Sequence, residues 1–341
     1  MARGRIDDPE AICRRWCGDE TVRAAPLATS GLSGAATWAV DRAAGSYVLK
    51  SFVGGATPER AGWVHALMAH VRAAGVDQVP SPQRAIDGCT VQADATGTLW
   101  ELVERMRGAA TMRPTDAQAA AAGRTLARIH RAAAALPGHA PRENHSPGVL
   151  RRIAHARALA ERPWIGLDPT AAPTPLRRHL LRAIDIAADH GLDRALAAVA
   201  SLVSRPCLTQ PVLRDIWCDH VLFEGESVSG IIDWHAAGID TPATDIARLV
   251  GSWPDGAESA VLEAYGSVRP LGEQEAAMVP FLRSTGVVFG LDNWFRWTVE
   301  ENRHFADREL VARRVASLVE ALPAAVEHLA GRGAVDAMPW S

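Results

Sequence analysis

The first hundred residues alternate short apolar stretches with polar or glycine-rich breaks. Residues 8–18 read as a short helix, after which Gly, Ser, Thr and β-branched residues take over. Thr37-Trp38-Ala39-Val40 runs through a turn at Ala44-Gly45 into Tyr47-Val48-Leu49-Lys50-Ser51-Phe52, the pattern of a β-hairpin with Lys50 on its second strand. Thr57-Pro58-Glu59 carries helix-start chemistry, and Trp63, Leu67 and Val71 then recur at helical spacing. Val79-Pro80-Ser81-Pro82 ends that helix, and Cys89 to Gln92 and Thr98 to Val103 predict two further strands.

After Gly108 the text becomes helix-rich, with Thr115-x-x-Gln118 as a capping box opening a helix that ends near His130. Residues 151–162 and 174–203 predict amphipathic helices on either side of the Pro-rich stretch from Asp168 to Pro175. Val221-Leu222-Phe223 and Val228 to Asp233 predict strands around a turn at Glu224-Gly225-Glu226. Helices resume near Asp245 and continue to about Leu329, and their Trp294, Phe295 and Trp297 read as core.

Composition narrows the function classes. The net charge of -3 gives no basic excess of the kind that neutralises a phosphate backbone, so no nucleic-acid partner is expected. No run approaches the roughly 18 apolar residues that cross a bilayer, so neither membrane insertion nor secretion is expected and a cytoplasmic location is. The five cysteines, Cys13, Cys17, Cys89, Cys207 and Cys218, lack paired metal-ligand spacing and read as reduced thiols. A zinc site on Cys13 and Cys17 is the weaker alternative to two small residues on a helix face. Of the 36 basic residues, Lys50 is the lone lysine. A compact ammonium on a flexible stem suits a point contact with phosphate, which singles Lys50 out.

In chain order the sequence offers a Gly-rich turn, Ser30-Gly31-Leu32-Ser33-Gly34, then Lys50, Glu59, Asp215 and Asp233. Phosphoryl transfer needs a clamp on the α- and β-phosphates, metal ligands, and a carboxylate that orients the attacking hydroxyl; this set supplies all three kinds. Each has a plainer reading alone. The glycine turn resembles many others, and Asp215 beside Arg214 matches an ordinary surface pair. Asp233, closing an apolar strand, is harder to set aside, because a buried charge needs a partner and a metal is one.

Leu213-Arg214-Asp215-Ile216-Trp217-Cys218-Asp219-His220-Val221-Leu222 resembles the H-G-D-x-x-x-x-N-V-L catalytic loop of the aminoglycoside/choline phosphotransferase family, within the protein-kinase-like superfamily. Gly230-Ile231-Ile232-Asp233-Trp234 and the stretch Gly238 to Ala247 are similar to the I-D-[FW] and G-x-x-x-P-x-x-D-[LI]-A segments of that family. The resemblance implies an α+β, two-lobed protein-kinase-like fold: a nucleotide-binding lobe over residues 1–105 and a helical lobe over 106–341, with the switch near 104–108. It further implies an ATP-dependent phosphotransferase acting on a hydroxyl of a small-molecule substrate such as an aminoglycoside, amino alcohol, sugar or other metabolite.

Carried over, Asp215 becomes the catalytic base and Asp233 a metal ligand. Lys50 clamps phosphates with Glu59 as its helix partner. Ser30, Gly31, Ser33 and Gly34 cover the phosphates through their amides, and Glu104 with Met106 forms the hinge that reads adenine. Asp245 braces the catalytic loop, and Arg214 either steadies the transferring phosphoryl group, binds an anionic substrate group or pairs with a structural carboxylate.

Two departures from the pattern stand out. Leu213 occupies the histidine position, at little expected cost. His220 occupies the asparagine position, where magnesium (Mg2+) would prefer oxygen; imidazole makes manganese (Mn2+) a second candidate metal and raises the alternative of a nucleotide-binding pseudokinase with a regulatory role. Asp255, Glu258, Glu263, Asp292, Glu300 and Glu301 would suit a cationic aminoglycoside, though they also read as solvated helix faces.

Overall fold

The computed structural model describes residues 8–18, 20–27, 34–52, 55–253, 257–305 and 307–331. Two compact units interleave along the chain. The first comprises Met1–Ala140, Asp215–Gly238 and Asp255–Arg269, and the second Pro141–Arg214, Ile239–Pro254 and Pro270–Ser341. The switch expected near 104–108 falls within the first unit.

In the first unit, β1 (Arg23–Pro26), β2 (Thr37–Arg42), β3 (Gly45–Ser51), β4 (Val91–Ala93) and β5 (Leu99–Glu104) form one antiparallel sheet in the order β1-β2-β3-β5-β4. The expected hairpin is present, with Thr37 opposite Lys50 and Arg42 opposite Gly45. Strand alternation then sorts the side chains. Val40, Leu49, Trp100 and Leu102 pack against Ile12, Cys13 and Trp16 of helix α1 (Pro9–Cys17). Lys50 and its cross-strand partner Glu101 alternate with these residues, so they lie on the opposite face of the sheet. There, His65 of helix α2 (Pro58–Ala73) meets Glu101.

Helix α2 starts as its sequence predicts, the Thr57 hydroxyl accepting from the Arg60 amide with proline in the first turn. Helix α3 (Asp116–Ala133) forms both bonds of the Thr115–Gln118 capping box. It packs on α8 (Ala257–Gly266), where His130 Nδ1 lies 2.8 Å from the Tyr265 hydroxyl. A second sheet orders β10 (Ser227–Ile231), β9 (Val221–Glu224) and β6 (Ala109–Ala110), and the β9–β10 hairpin leads directly to Asp233.

The second unit is mostly helical. Helix α4 (Pro147–Glu161) packs on α6 (Leu192–Ser201), α7 (Ala243–Ser252) on α9 (Glu273–Phe295), and α10 (Arg308–Ala330) on α5 (Thr174–His190), α6 and α9. A small sheet orders β11 (Gly238–Asp240), β8 (Pro206–Val212) and β7 (Arg142–His145).

The span 174–203, expected to be helical, forms two helices. Gly191 at φ 76° ends α5 in the left-handed conformation, which costs glycine little, and α6 departs from it. The aromatic cluster is core at Trp294 and Phe295, the latter stacked on Trp164 at 4.7 Å. Trp297 is half-buried, edge-on to Trp294 in a short π-helical turn, Arg296–Glu300. Burial pushes the Cys13 thiol up to about 12; Cys13 belongs to the core of this unit and Cys17 packs against it. No described helix is long and apolar enough to cross a membrane.

Candidate active site

The centre of the site lies in the first unit, and sequence order brings it together from β3, the loop after β8 and the end of β10. Lys50 Nζ donates to Asp233 Oδ1 at 2.6 Å, closing a contact across 183 residues of sequence. His220 Nε2 stands 3.7 Å from the other oxygen of Asp233. Burial alone would raise the Asp233 carboxyl, but Lys50 and then His220 outweigh it and hold the group below the usual carboxylate range, ionised at neutral pH. Asp233 adopts φ 63°, a backbone conformation a non-glycine residue rarely holds without compensating contacts.

The loop bearing Asp215 is folded on itself. His220 Nδ1 lies 2.8 Å from the Asp215 carbonyl, the His220 amide donates to Trp217, and the Trp217 indole donates to Asp215 Oδ1 at 3.0 Å. The Ile232 amide donates to the His220 carbonyl, tying this loop to the strand end that carries Asp233. A carbonyl only accepts, so Nδ1 of His220 carries the proton; in the neutral ring the lone pair is then on Nε2, the atom that faces Asp233.

This assignment allows a fit test for a divalent cation. An imidazole lone pair and a carboxylate oxygen 3.7 Å apart can both reach one cation at about 2.1 Å. Two protein donors with phosphate and water oxygens completing the shell is an ordinary arrangement for a nucleotide-bound metal. The residues fit.

Glu59 does not pair with Lys50 here. It is exposed in the first turn of α2, its own backbone amide and the Thr57 hydroxyl holding its carboxyl below the usual range, so it serves the helix start. No other acidic residue lies on α2. The carboxylate that the sequence reading missed is Glu101. Buried on β5 opposite Lys50, it accepts from His65 and His235 through separate oxygens, at 2.7 and 2.6 Å. The His235 ring stacks on Phe52 at 4.0 Å, and Arg60 of α2 donates to the His235 and Ala237 carbonyls. The segment after Asp233 is thus pinned to β5 and α2. A glutamate inside the apolar run Leu99-Trp100-Glu101-Leu102-Val103 was the available signal, since a buried carboxylate requires partners.

Of the expected phosphate-covering turn, Ser30, Gly31 and Ser33 lie outside the described residues, and Gly34 has φ 77°. In the expected hinge, the Glu104 side chain is taken by Arg72 at 2.8 Å and by the Ser81 amide. Met106 packs so closely on Gly230 that a Cβ there would lie 2.6 Å from the Met106 Cβ.

Arg214 and Asp245 belong to the second unit. Both carboxylate oxygens of Asp245 accept from the loop backbone, from the Leu213 amide at 2.7 Å and the Arg214 amide at 2.6 Å, the bracing role expected of it. Arg214 has φ 67°. It stands where the H-G-D pattern has glycine, a third departure that the sequence reading passed over. Among the acidic residues considered for a cationic substrate, Asp292 holds His155 at 2.6 Å, Glu300 faces Arg162, and Glu301 faces Arg296 and Arg303. Asp255 lies outside the described residues.

The model of the phosphotransferase enzyme family matches residues 25–279. A homoserine kinase of Bradyrhizobium diazoefficiens is 31% identical over 246 residues, covering 68% of this chain and 67% of its own. A homoserine kinase of Methylobacterium nodulans is 29% identical over 250 residues, 70% of each. Among solved structures, a spectinomycin phosphotransferase in complex with ADP and spectinomycin has a TM-score of 0.59 at 13% identity, covering 93% of this chain and 97% of its own. A choline/ethanolamine kinase family protein from Mesorhizobium loti has a TM-score of 0.56 at 18% identity, covering 96% and 98%. The fold is kinase-like, with a β-sheet N-terminal region and a mostly helical C-terminal part. The chain belongs to the phosphotransferase enzyme family, as a small-molecule kinase that uses ATP to phosphorylate a hydroxyl group.

Proposed function

We propose that Asp215 is the base of this kinase, that Lys50 and Asp233 work on the nucleotide, and that the acceptor is a small hydroxylated amino acid or amino alcohol, with homoserine the first to test. The observation that carries the reading is the Lys50–Asp233–His220 cluster, tied through Ile232 and His220 to the loop that bears Asp215. Residues 1–105 serve as the nucleotide lobe and 106–341 as the helical lobe, with Ser30, Gly31, Ser33, Gly34, Glu104 and Met106 around the nucleotide. The cytoplasm, where ATP is abundant, is the compartment this implies.

Lys50 holds phosphate oxygens by a charge-assisted contact, which requires it to leave Asp233. A divalent cation held by Asp233 and His220 would neutralise phosphate charge; magnesium suits the carboxylate, and manganese suits the imidazole better. Asp215 accepts the proton of the acceptor hydroxyl as its oxygen bonds to the γ-phosphorus and the bond from that phosphorus to the ADP oxygen breaks. Arg214, fixed by Asp245, presents a permanent positive charge one residue before the base.

The test is ADP release with homoserine, choline and spectinomycin as acceptors, each with magnesium or manganese. Turnover of homoserine above the other two is expected, together with a manganese-to-magnesium rate ratio that falls about tenfold in His220→Asn. Equal turnover of all three, or an unchanged metal ratio in the variant, contradicts the acceptor and the metal assignment respectively.

A further inference from the structure

Asp240, fully buried at the end of β11, is hydrogen-bonded through one oxygen only. Ser146, the N-cap of α4, donates to its Oδ1 at 2.5 Å, as does the Thr241 amide at 2.9 Å. Two guanidinium groups approach the other oxygen, Arg151 at 3.5 Å and Arg214 at 3.9 Å. Both distances exceed the roughly 2.7–2.9 Å of a charge-assisted hydrogen bond. Oδ2 of Asp240, Nε of Arg214, and the hydroxyls of Thr241 and Thr244 are buried without a hydrogen-bond partner. Buried polar atoms are ordinarily satisfied, and of these four the Arg214 Nε and the two hydroxyls are donors that an anion would satisfy.

The charge count agrees. Burial, then Arg214 and Arg248, lower the proton affinity of Arg151, with Asp240 opposing them. Arg152, from the same helix, is committed to the Thr285 hydroxyl at 2.9 Å and to the Gly148 carbonyl, and burial followed by Arg248 brings it down to about 10. Crowded guanidinium groups that repel one another around a single shared oxygen form a site for a further anion. The side chains of Arg151 and Arg214 are 55% and 28% exposed, so that anion can reach them from solvent.

Backbone geometry points the same way. Arg214 is held at φ 67° by Asp245, a conformation unfavourable for a non-glycine residue and one that glycine would adopt freely. Gly148 lets α4 approach, since a Cβ there would lie 2.9 Å from Asp240 Oδ2 and 3.2 Å from the Thr244 hydroxyl.

The geometry points to an anion subsite in which Arg151 and Arg214 hold a carboxylate of the phosphoryl acceptor. Asp240 keeps the two guanidinium groups in place without consuming their donors. Arg214 immediately precedes Asp215 in the sequence, and the assignment of the anion to the acceptor rests on the phosphotransferase reading of Asp215. The substrate class is therefore a hydroxy acid, with or without an α-amino group, and a purely cationic aminoglycoside is disfavoured.

The test pairs each hydroxy acid with its neutral primary amide: 4-hydroxybutanoate with 4-hydroxybutanamide, and the same pair bearing an α-amino group. Melting temperature and ADP release are measured in wild-type protein and Arg151→Gln with ATP and a divalent metal. Wild-type protein is expected to prefer acid over amide by about 10- to 100-fold in kcat/KM, the value of one charged hydrogen-bonded contact. Arg151→Gln should bring that preference near unity, mainly through KM, while the variant keeps the wild-type melting shift with nucleotide. An equal response to acid and amide in wild-type protein, no response to any acid, or a preference unchanged in Arg151→Gln overturns the subsite. Loss of the nucleotide shift in wild-type protein would instead overturn the kinase site on which it rests.

Discussion

Asp215→Asn is expected to lower turnover by about 10²- to 10⁴-fold while leaving nucleotide-dependent stabilisation in place. The substitution is nearly isosteric, and its amide oxygen still accepts from the Trp217 indole, so the loop retains its bonds from His220 to the Asp215 carbonyl. The loss is confined to proton acceptance from the acceptor hydroxyl. Steady-state ADP release together with thermal melting in nucleotide separates the two effects: a large fall in kcat with an unchanged melting shift is the expected pair. A variant that keeps more than a tenth of the wild-type rate would show that another group takes the proton.

Glu101→Ala should cost about 3–5 kcal/mol of stability and lower the melting temperature by several degrees, the consequence of removing one member of a buried ionic cluster. Glu101 is buried between His65 and His235, and neither imidazole keeps that partner once the carboxylate is gone. Glu101→Gln keeps the volume and one acceptor oxygen, and should fall between wild type and alanine. The pH dependence has a defined sign. Burial opposes ionisation of Glu101, but His235 and then His65 overcome it and hold the carboxyl well below the usual range. A carboxyl depressed in the folded state stabilises fully above its unfolded value of about 4.3, and the contribution is lost as pH falls below that toward the folded value. The gap in melting temperature between wild type and Glu101→Ala should therefore narrow as pH falls below about 4. A gap that widens in acid would mean the cluster is not held by an ionised Glu101.

Glu101 also shows where the sequence could be read and where it could not. Locally encoded features were legible: the hairpin from Thr37 to Ser51, the Thr57 cap, and the two reciprocal bonds between Thr115 and Gln118. Each depends on residues a few positions apart. Lys50, Asp215 and Asp233 were identified by type and order and His220 through the family resemblance, but the pairing of Lys50 with Asp233 was not, and Glu59 was preferred for its place on the neighbouring helix. The contact that forms spans 183 residues and depends on where β10 ends relative to β3. The His65–Glu101–His235 bridge likewise draws on α2, β5 and the segment beyond β10, so no window of sequence contains it. Gly191, whose left-handed φ ends α5, was not singled out in the sequence.

Arg214 was noticed for its charge and not for its backbone. Its left-handed conformation, held by Asp245, and its loose approach to Asp240 are tertiary facts. They underlie the proposed carboxylate subsite.

The measurement that bears most directly on the account is thermal melting of wild-type protein, Lys50→Ala and Asp233→Asn with ATP, in magnesium, in manganese and without metal. Ligands that bind only the folded state raise the melting temperature by mass action. The account expects a shift in wild-type protein that requires the metal and is lost or strongly reduced in both variants. An equal shift without metal, or one that survives in both variants, would contradict the assignment of Lys50 and Asp233 as the nucleotide and metal site.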